Sequence, residues 1–285
     1  MEEDNIIATK NIEYSIIKNI YKTKFGELFL VSNKLNPDDN IYYILKQIKV
    51  KSEEEKTMIL NEIKALQKLC SKYIIKIHEY FIENTENEEI INLILDYSEE
   101  NKSLEELIYN SYYLTSQNIW KIFIKLLIGI NSIHKENIII GNLNLQNIFI
   151  DKNKNIIIGG IGNILDLSKE NFEHFLYKEP QAFNGEKSDK KSDMWTLGCI
   201  FYEMIFKKRI FENEKNIINM KYKIPEKVEW DLIKVLEKLI CKHDNILEAE
   251  KLINEPIIKK QIIEKNLFLE IIQNTLEGKK KYIYF

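Results

Sequence analysis

Apolar positions in this chain switch from a period of two to a period near 3.6. In the first third they alternate with polar ones. "YSIIKNI", "GELFLVSN" and "IYYILKQIKV" are rich in β-branched and aromatic residues and predict three strands, with "NPDDN" turning the chain between the last two. A helix is predicted next. Ser52 and Glu55 form a capping-box pair, and Ile59, Ile63, Leu66 and Cys70 recur at helical spacing. "YIIKIHEYF" and "IINLILDYS" predict two more strands. After "SEEN" the pattern turns helical: "SLEELIYNSYYL" and "SQNIWKIFIKLLIGINSIH" predict helices, "IIIGNLNLQNIFI" and "KNIIIGGIG" short apolar strands and loops, and the stretch from Ser192 to Gly278 helix again. The expected architecture is α+β: a small β-rich lobe, a hinge near Asp96 to Asn101 and a larger helical lobe.

Two charges interrupt apolar faces. Alternation in "IYYILKQIKV" places Tyr42, Ile44, Lys46, Ile48 and Val50 on one side of a strand, where Lys46 is the lone charge. On the next helix, Glu62 neighbours Met58, Ile59, Ala65 and Leu66 by three- and four-residue spacing, on the expected buried stripe. A buried charge is costly unless paired, so the economical arrangement has Lys46 and Glu62 meet. The plainer alternative is two charges at the edge of a core. A different stretch has too little charge: Ile138 to Ile150 holds no ionisable side chain in a chain that is 30% charged.

Composition narrows the function classes. A net charge of −3 gives no reason to expect nucleic acid or an anionic membrane as partner. The cysteines, Cys70, Cys199 and Cys241, are too far apart for a disulfide framework or a zinc pattern and read as reduced thiols. The N-terminus is acidic without a long apolar run, and no uncharged apolar stretch reaches membrane-spanning length. A cytoplasmic location is expected, with the nucleus or delivery into a host cell also compatible.

The strand lysine followed by a helix glutamate resembles the protein-kinase signature. "KSDMWTLGCIFYEM" resembles the family's Asp-x-Trp-x-x-Gly helix start, with Asp193, Trp195 and Gly198. "IHKENIIIGNLNLQNIFI" resembles the catalytic loop, "IIIGGIG" stands where Asp-Phe-Gly belongs, and "YKEPQAF" occupies the Ala-Pro-Glu position. "NEIKALQKL", "NLQNIFI", "LGCIFYEM" and "KYKIPEKVEWDLIKVLEKLI" are most similar to NIMA-related Ser/Thr kinases. The resemblance runs from about residue 14 to residue 260. It implies an N-terminal extension over 1–13, a kinase-like N-lobe over 14–98, a C-lobe over 99–278 and a basic, aromatic tail over 279–285.

Position by position, the resemblance implies a dismantled site. The catalytic aspartate becomes Asn142, whose amide is too weakly basic to accept a substrate proton. His-Arg-Asp reads Ile140-Gly141-Asn142, the loop lysine becomes Asn144, and Asp-Phe-Gly becomes Gly160-Ile161-Gly162. Asn147, a metal ligand in the family, keeps its identity; as a loop-bracing residue it needs no metal. Two glycines of the phosphate loop become Tyr21 and Thr23. Ile44 replaces the small alanine of Val-Ala-Ile-Lys and, with Tyr21, Thr23, Leu28, Leu95 and Phe149, is expected to fill the nucleotide pocket. Core packing is the simpler account of each of these residues. Lys46, Glu62, Asn147 and Asp193 are the retained motif residues, and the first two imply a tie between strand and helix. The family's buried Glu–Arg pair falls on Gln181 and Ile246, so both halves are replaced.

The expectation is therefore an enzyme fold without enzyme chemistry. It would be a protein-binding scaffold, decoy or allosteric regulator, partnered by an active kinase or a kinase substrate. No metal or cofactor is expected, and ATP is not expected to bind. The alternatives are a nucleotide-binding switch without catalysis, or an atypical kinase-fold transferase.

Overall fold

The computed structural model describes residues 6–8, 13–23, 26–34, 41–69, 72–85, 88–97, 101–110, 114–151, 155–159, 172–225 and 228–267. The chain divides into two compact units: Met1–Lys68 with Ile75–Asn101, and Leu69–Ile74 with Lys102–Phe285. The division falls three residues later than the expected lobe boundary and assigns the short 69–74 stretch to the second unit.

The first unit is built on an antiparallel sheet in the order β1-β2-β3-β4-β6-β5. Its strands are β1 (Ile6–Ala8), β2 (Glu13–Thr23), β3 (Gly26–Asn33), β4 (Tyr42–Val50), β5 (Ile77–Asn84) and β6 (Glu89–Asp96). The expected extension thus contributes an edge strand, with Ile7 opposite Tyr14. Tyr14, Val31, Leu45 and Ile94 form the buried cluster on which this sheet closes. Tyr14 hydrogen-bonds from its hydroxyl to Glu79 Oε1 at 2.5 Å, which satisfies the polar end of an otherwise apolar ring. Helix α1 (Glu53–Lys68) follows β4 and buries Ile59, Ile63 and Leu66. Its start is the one the capping pair predicts: the Glu55 amide donates to Ser52 Oγ, while Glu55 Oε2 accepts from the Lys51 amide. Met58 is a correction. It is 71% exposed, so the buried stripe runs through Ile59, Ile63 and Leu66 and leaves Met58 outside.

The second unit is mainly helical. Its elements are β7 (Lys102–Ser103), α2 (Leu104–Asn110), α3 (Ser116–Lys135), β8 (Ile148–Ile150), β9 (Ile156–Ile158), α4 (Lys190–Phe206), α5 (Glu214–Ile218), α6 (Trp230–Leu239), α7 (Ala249–Ile253) and α8 (Pro256–Glu264). Helices α3 and α4 form the centre, where Phe123 and Phe201 approach to 4.2 Å between ring centroids beside Trp120. Helix α4 begins two residues before the expected Ser192. Asp189 caps it, accepting from the Lys191 and Ser192 amides, and Ser192 Oγ accepts from the Asp189 amide in return. No helix among the described residues is long and apolar enough to cross a membrane.

Candidate functional site

In the first unit, β2 and β3 stay paired to the end of their hairpin, with Tyr21 opposite Leu28 and Thr23 opposite Gly26. Gly26 is the surviving glycine of the phosphate-loop stretch, and packing explains it. A Cβ there would sit 1.9 Å from the Gln47 carbonyl oxygen of β4. The sheet places Leu30 opposite Ile44 and Ile44 opposite Leu95, and Leu28, Ile44 and Leu95 are all buried within this unit.

Lys46 is buried on β4, opposite Leu28 on one side and Leu93 on the other. Glu62 faces inward from α1. Burial pushes its carboxyl up to about 7, against the opposing pull of the Lys46 charge. Its Oε1 has no hydrogen-bond partner. The lysine therefore acts on that oxygen through charge, not through a bond. Between the two groups only this influence of charge is seen, and desolvation of the carboxylate outweighs it.

In the second unit, the uncharged stretch Ile138 to Ile150 hangs from Asp193 of α4. The Ile140 amide donates to Asp193 Oδ2 at 2.8 Å, and the Gly141 amide to Oδ1 at 2.8 Å. His134 Nε2 of α3 lies 2.8 Å from Oδ2, and the carboxylate is buried. Gly141 adopts φ 68, a left-handed conformation that disfavours a side chain although open space surrounds it.

Beyond Gly141 the amide side chains fold the loop on itself. Asn144 caps the 3-10 turn Leu145–Asn147, its Oδ1 accepting from the Gln146 and Asn147 amides at 2.9 and 3.0 Å. Asn144 Nδ2 and Asn147 Nδ2 both donate to the Asn142 carbonyl at 3.3 Å. Asn142 Oδ1 is buried without a hydrogen-bond partner. The Gly159 amide closes on the Asn147 carbonyl at 2.7 Å, after β8 carries the half-buried Phe149. Gly160, Ile161 and Gly162 lie outside the described residues, as do the tail and the side chains of Tyr21 and Thr23.

Two clusters, at the start and in the last turn of α4, escape sequence reasoning. Glu203, buried on α4, accepts from the hydroxyls of Tyr109 and Tyr177, the latter at 2.6 Å. Burial first, and the neighbouring Glu203 charge second, push the Tyr177 hydroxyl well up, so it stays a donor. Glu179 lies beside His243 and Asp189. Ile246 is buried and Gln181 is half-buried, and neither side chain can form an ion pair. The nearby acid and base that do meet are 64 residues apart and sit on short irregular segments, so no periodicity marks them.

Residues 14–276 match the family model described as the protein kinase domain. The chain is 27% identical over 206 residues to the probable serine/threonine-protein kinase nek2 of Dictyostelium discoideum, covering 67% of this chain and 48% of that protein. It is 27% identical over 283 residues to human serine/threonine-protein kinase Nek11, covering 93% and 43%. It is 24% identical over 294 residues to nekl-2 of Caenorhabditis elegans, covering 94% and 80%. The chain thus spans less than half the length of the Dictyostelium and human relatives it matches. A β-sheet-rich N-terminal part, a helical C-terminal part and a match across nearly the whole chain make this protein a member of the protein kinase domain family, with NIMA-related kinases as its relatives.

Proposed function

We propose that this chain is a pseudokinase: a kinase fold that binds another protein, as scaffold, decoy or allosteric regulator, without phosphoryl transfer and without ATP. The partner expected for such a surface is an active kinase or a kinase substrate. The observation that carries this reading is the loop from Ile138 to Ile150. Its attachment to Asp193 is intact, Asn142, Asn144 and Asn147 are neutral amides, and the side chains of Asn144 and Asn147 brace the loop on the Asn142 carbonyl and on the Gln146 and Asn147 amides. Phosphoryl transfer rests on a base, a lysine and metal-held phosphates. Magnesium prefers near-octahedral oxygen ligands, commonly carboxylates, and the sequence places no carboxylate between Asp151 and Asp166 to supply one.

The direct test uses γ-labelled ATP with magnesium or manganese, a generic acceptor protein and the full chain. No incorporation above a Lys46→Ala control is expected. Incorporation that the Lys46→Ala change abolishes would return the chain to the enzymes.

A nucleotide-binding switch without catalysis has one observation in its favour. Lys46 is buried on β4 and its charge reaches Glu62, and in kinases the lysine of such a pair holds the ATP phosphates. ATP binding that survives EDTA would establish it.

A further inference from the structure

Three side chains from three separate segments meet at the start of α4. Glu179 precedes the 3-10 turn Pro180–Asn184, Asp189 caps α4, and His243 opens the 3-10 turn His243–Asn245. Each offers one nitrogen or oxygen of the kind that ligates metal ions, and these atoms lie within 4.8 Å of one another. Hydrogen bonding sorts them into two kinds. His243 Nδ1 is hydrogen-bonded to Glu179 Oε2 at 2.8 Å. A carboxylate only accepts, so the ring hydrogen sits on Nδ1, and a neutral ring keeps a lone pair on Nε2. Glu179 is itself fixed: it is 5% exposed, and its Oε1 accepts from Ser192 Oγ. It therefore holds the ring in one tautomer and one orientation.

Asp189 is held in a similar way through one oxygen. Its Oδ1 accepts from the Lys191 and Ser192 amides, which also take up the positive end of the helix. Two acceptors are left, His243 Nε2 and Asp189 Oδ2. They stand 3.2 Å apart, a contact that is not a hydrogen bond. The Lys191 ammonium goes to the His243 and Asp244 carbonyls at 3.1 and 2.9 Å. Two lone-pair atoms at that separation match adjacent ligands of one zinc-type ion: bonds of about 2.0–2.2 Å at near-tetrahedral angles put neighbouring donors roughly 3.2–3.5 Å apart. A ligand set that includes imidazole suits zinc or a similar transition metal better than magnesium or calcium. A carboxylate on the far ring nitrogen is the usual support of a metal-bound histidine, and Glu179 stands there. The Asp189 side chain is about half exposed, so water can reach the remaining coordination positions.

We propose that His243 Nε2 and Asp189 Oδ2 bind a divalent cation of the zinc type, with Glu179 orienting the imidazole from its other side. The bound ion joins the start of α4 to the stretch before α7, and through Glu179 it also steadies the segment that leads into Pro180–Asn184. None of the three residues belongs to the loop Ile138 to Ile150, so the inference does not depend on whether the chain transfers phosphate.

The test is zinc binding by the full, untagged chain at neutral pH, read by competition with a chromogenic zinc chelator, for the wild type, His243→Gln and Asp189→Asn. Both variants keep the cysteines and the other histidines, so the zinc they still take up is background. The wild type should bind one zinc ion above that background with micromolar affinity, and each variant should weaken this binding by at least about tenfold. Thermal unfolding gives a second readout. About 100 µM zinc should raise the wild-type Tm by about 2–5 °C and that of either variant by under about 1 °C, with EDTA reversing the rise. Magnesium at the same concentration should give no rise. Asparagine at position 189 still offers an oxygen to the α4 amides, so this variant decides if His243→Gln fails to fold. No zinc binding by the wild type, or equal binding by the wild type and either folded variant, would overturn the proposal.

Discussion

Two regions fastened to the same helix treat charge in opposite ways. The loop from Ile138 to Ile150 hangs from Asp193, near the start of α4, and contains no ionisable side chain of its own. One helical turn earlier, Asp189 and Ser192 help hold Glu179 and His243 in a cluster of ionisable groups. In the loop, the side chains of Asn144 and Asn147 brace the backbone. Around Glu179, ionisable side chains meet and join the segment before Pro180 to the start of α4. The difference separates two demands on a kinase fold. Anchoring charge matters to any chain that must fold, whereas chemistry-bearing charge matters only to one that transfers phosphate.

Breaking the anchors should produce the largest effects. Asp193→Ala removes the acceptor for two backbone amides and for His134, and leaves them buried. We expect a loss of about 3–5 kcal/mol in urea unfolding, with the change concentrated in the second unit. A loss under about 1 kcal/mol would mean that the loop does not depend on α4.

Glu203→Gln is the next test on the anchoring side. The amide keeps one acceptor oxygen for two tyrosine hydroxyls, and a loss of about 2 kcal/mol is expected. The double variant with Tyr177→Phe should lose less than the sum of the two single changes, because the two groups share one bond. Strict additivity would show that the contact carries no energy.

Glu62 sharpens the comparison by pH. Its carboxyl sits at about 7 against an ordinary value of 4.5, so the folded chain binds this proton more tightly than the unfolded one. The stability linked to it is fully present below pH 4.5 and is lost as pH rises through 7. The ceiling is about 3 kcal/mol, and partial solvent access reduces it to about 1–2 kcal/mol. Glu62→Gln should therefore match the wild type near pH 4.5 and gain on it by pH 8. A variant that falls behind the wild type at pH 8 would show that the Lys46 charge outweighs desolvation after all.

The smallest effect belongs to the loop itself. Asn144→Ala should cost about 1 kcal/mol through loss of the 3-10 cap, and Asn144→Asp should cost less because its oxygen still accepts. Restoring the family's residue with Asn144→Lys should cost about as much as alanine and yield no phosphate transfer. Transfer by that single variant would place the loop on the side of chemistry.

Much of this architecture is visible in the residue pattern. Alternation predicts β3 over "GELFLVSN", which is its observed span, and Ser52 with Glu55 marks the first turn of α1. These features are local, set by period and capping. The three-residue strand β1 is too short for alternation to show, and it exists only because β2 is there to pair with it. Lys46 and Glu62 were legible as charges on apolar faces, but the balance between attraction and desolvation was not. That balance depends on how deeply α1 buries a carboxylate, which spacing does not state. Asn144 as a cap was hidden behind its alignment with a lysine. Glu179 and His243 left no signal at all, since each sits on a short irregular segment and their meeting is a tertiary event.

The account's central claim is that this fold no longer takes up ATP. Thermal unfolding of the purified chain with millimolar ATP, once in magnesium and once in EDTA, tests it most directly. The account predicts no change in Tm under either condition. A nucleotide present at about 100 times its dissociation constant would add roughly 2.7 kcal/mol, which should raise the Tm by about 5–10 °C. A rise of that size that requires magnesium would contradict the account and reopen the enzyme reading.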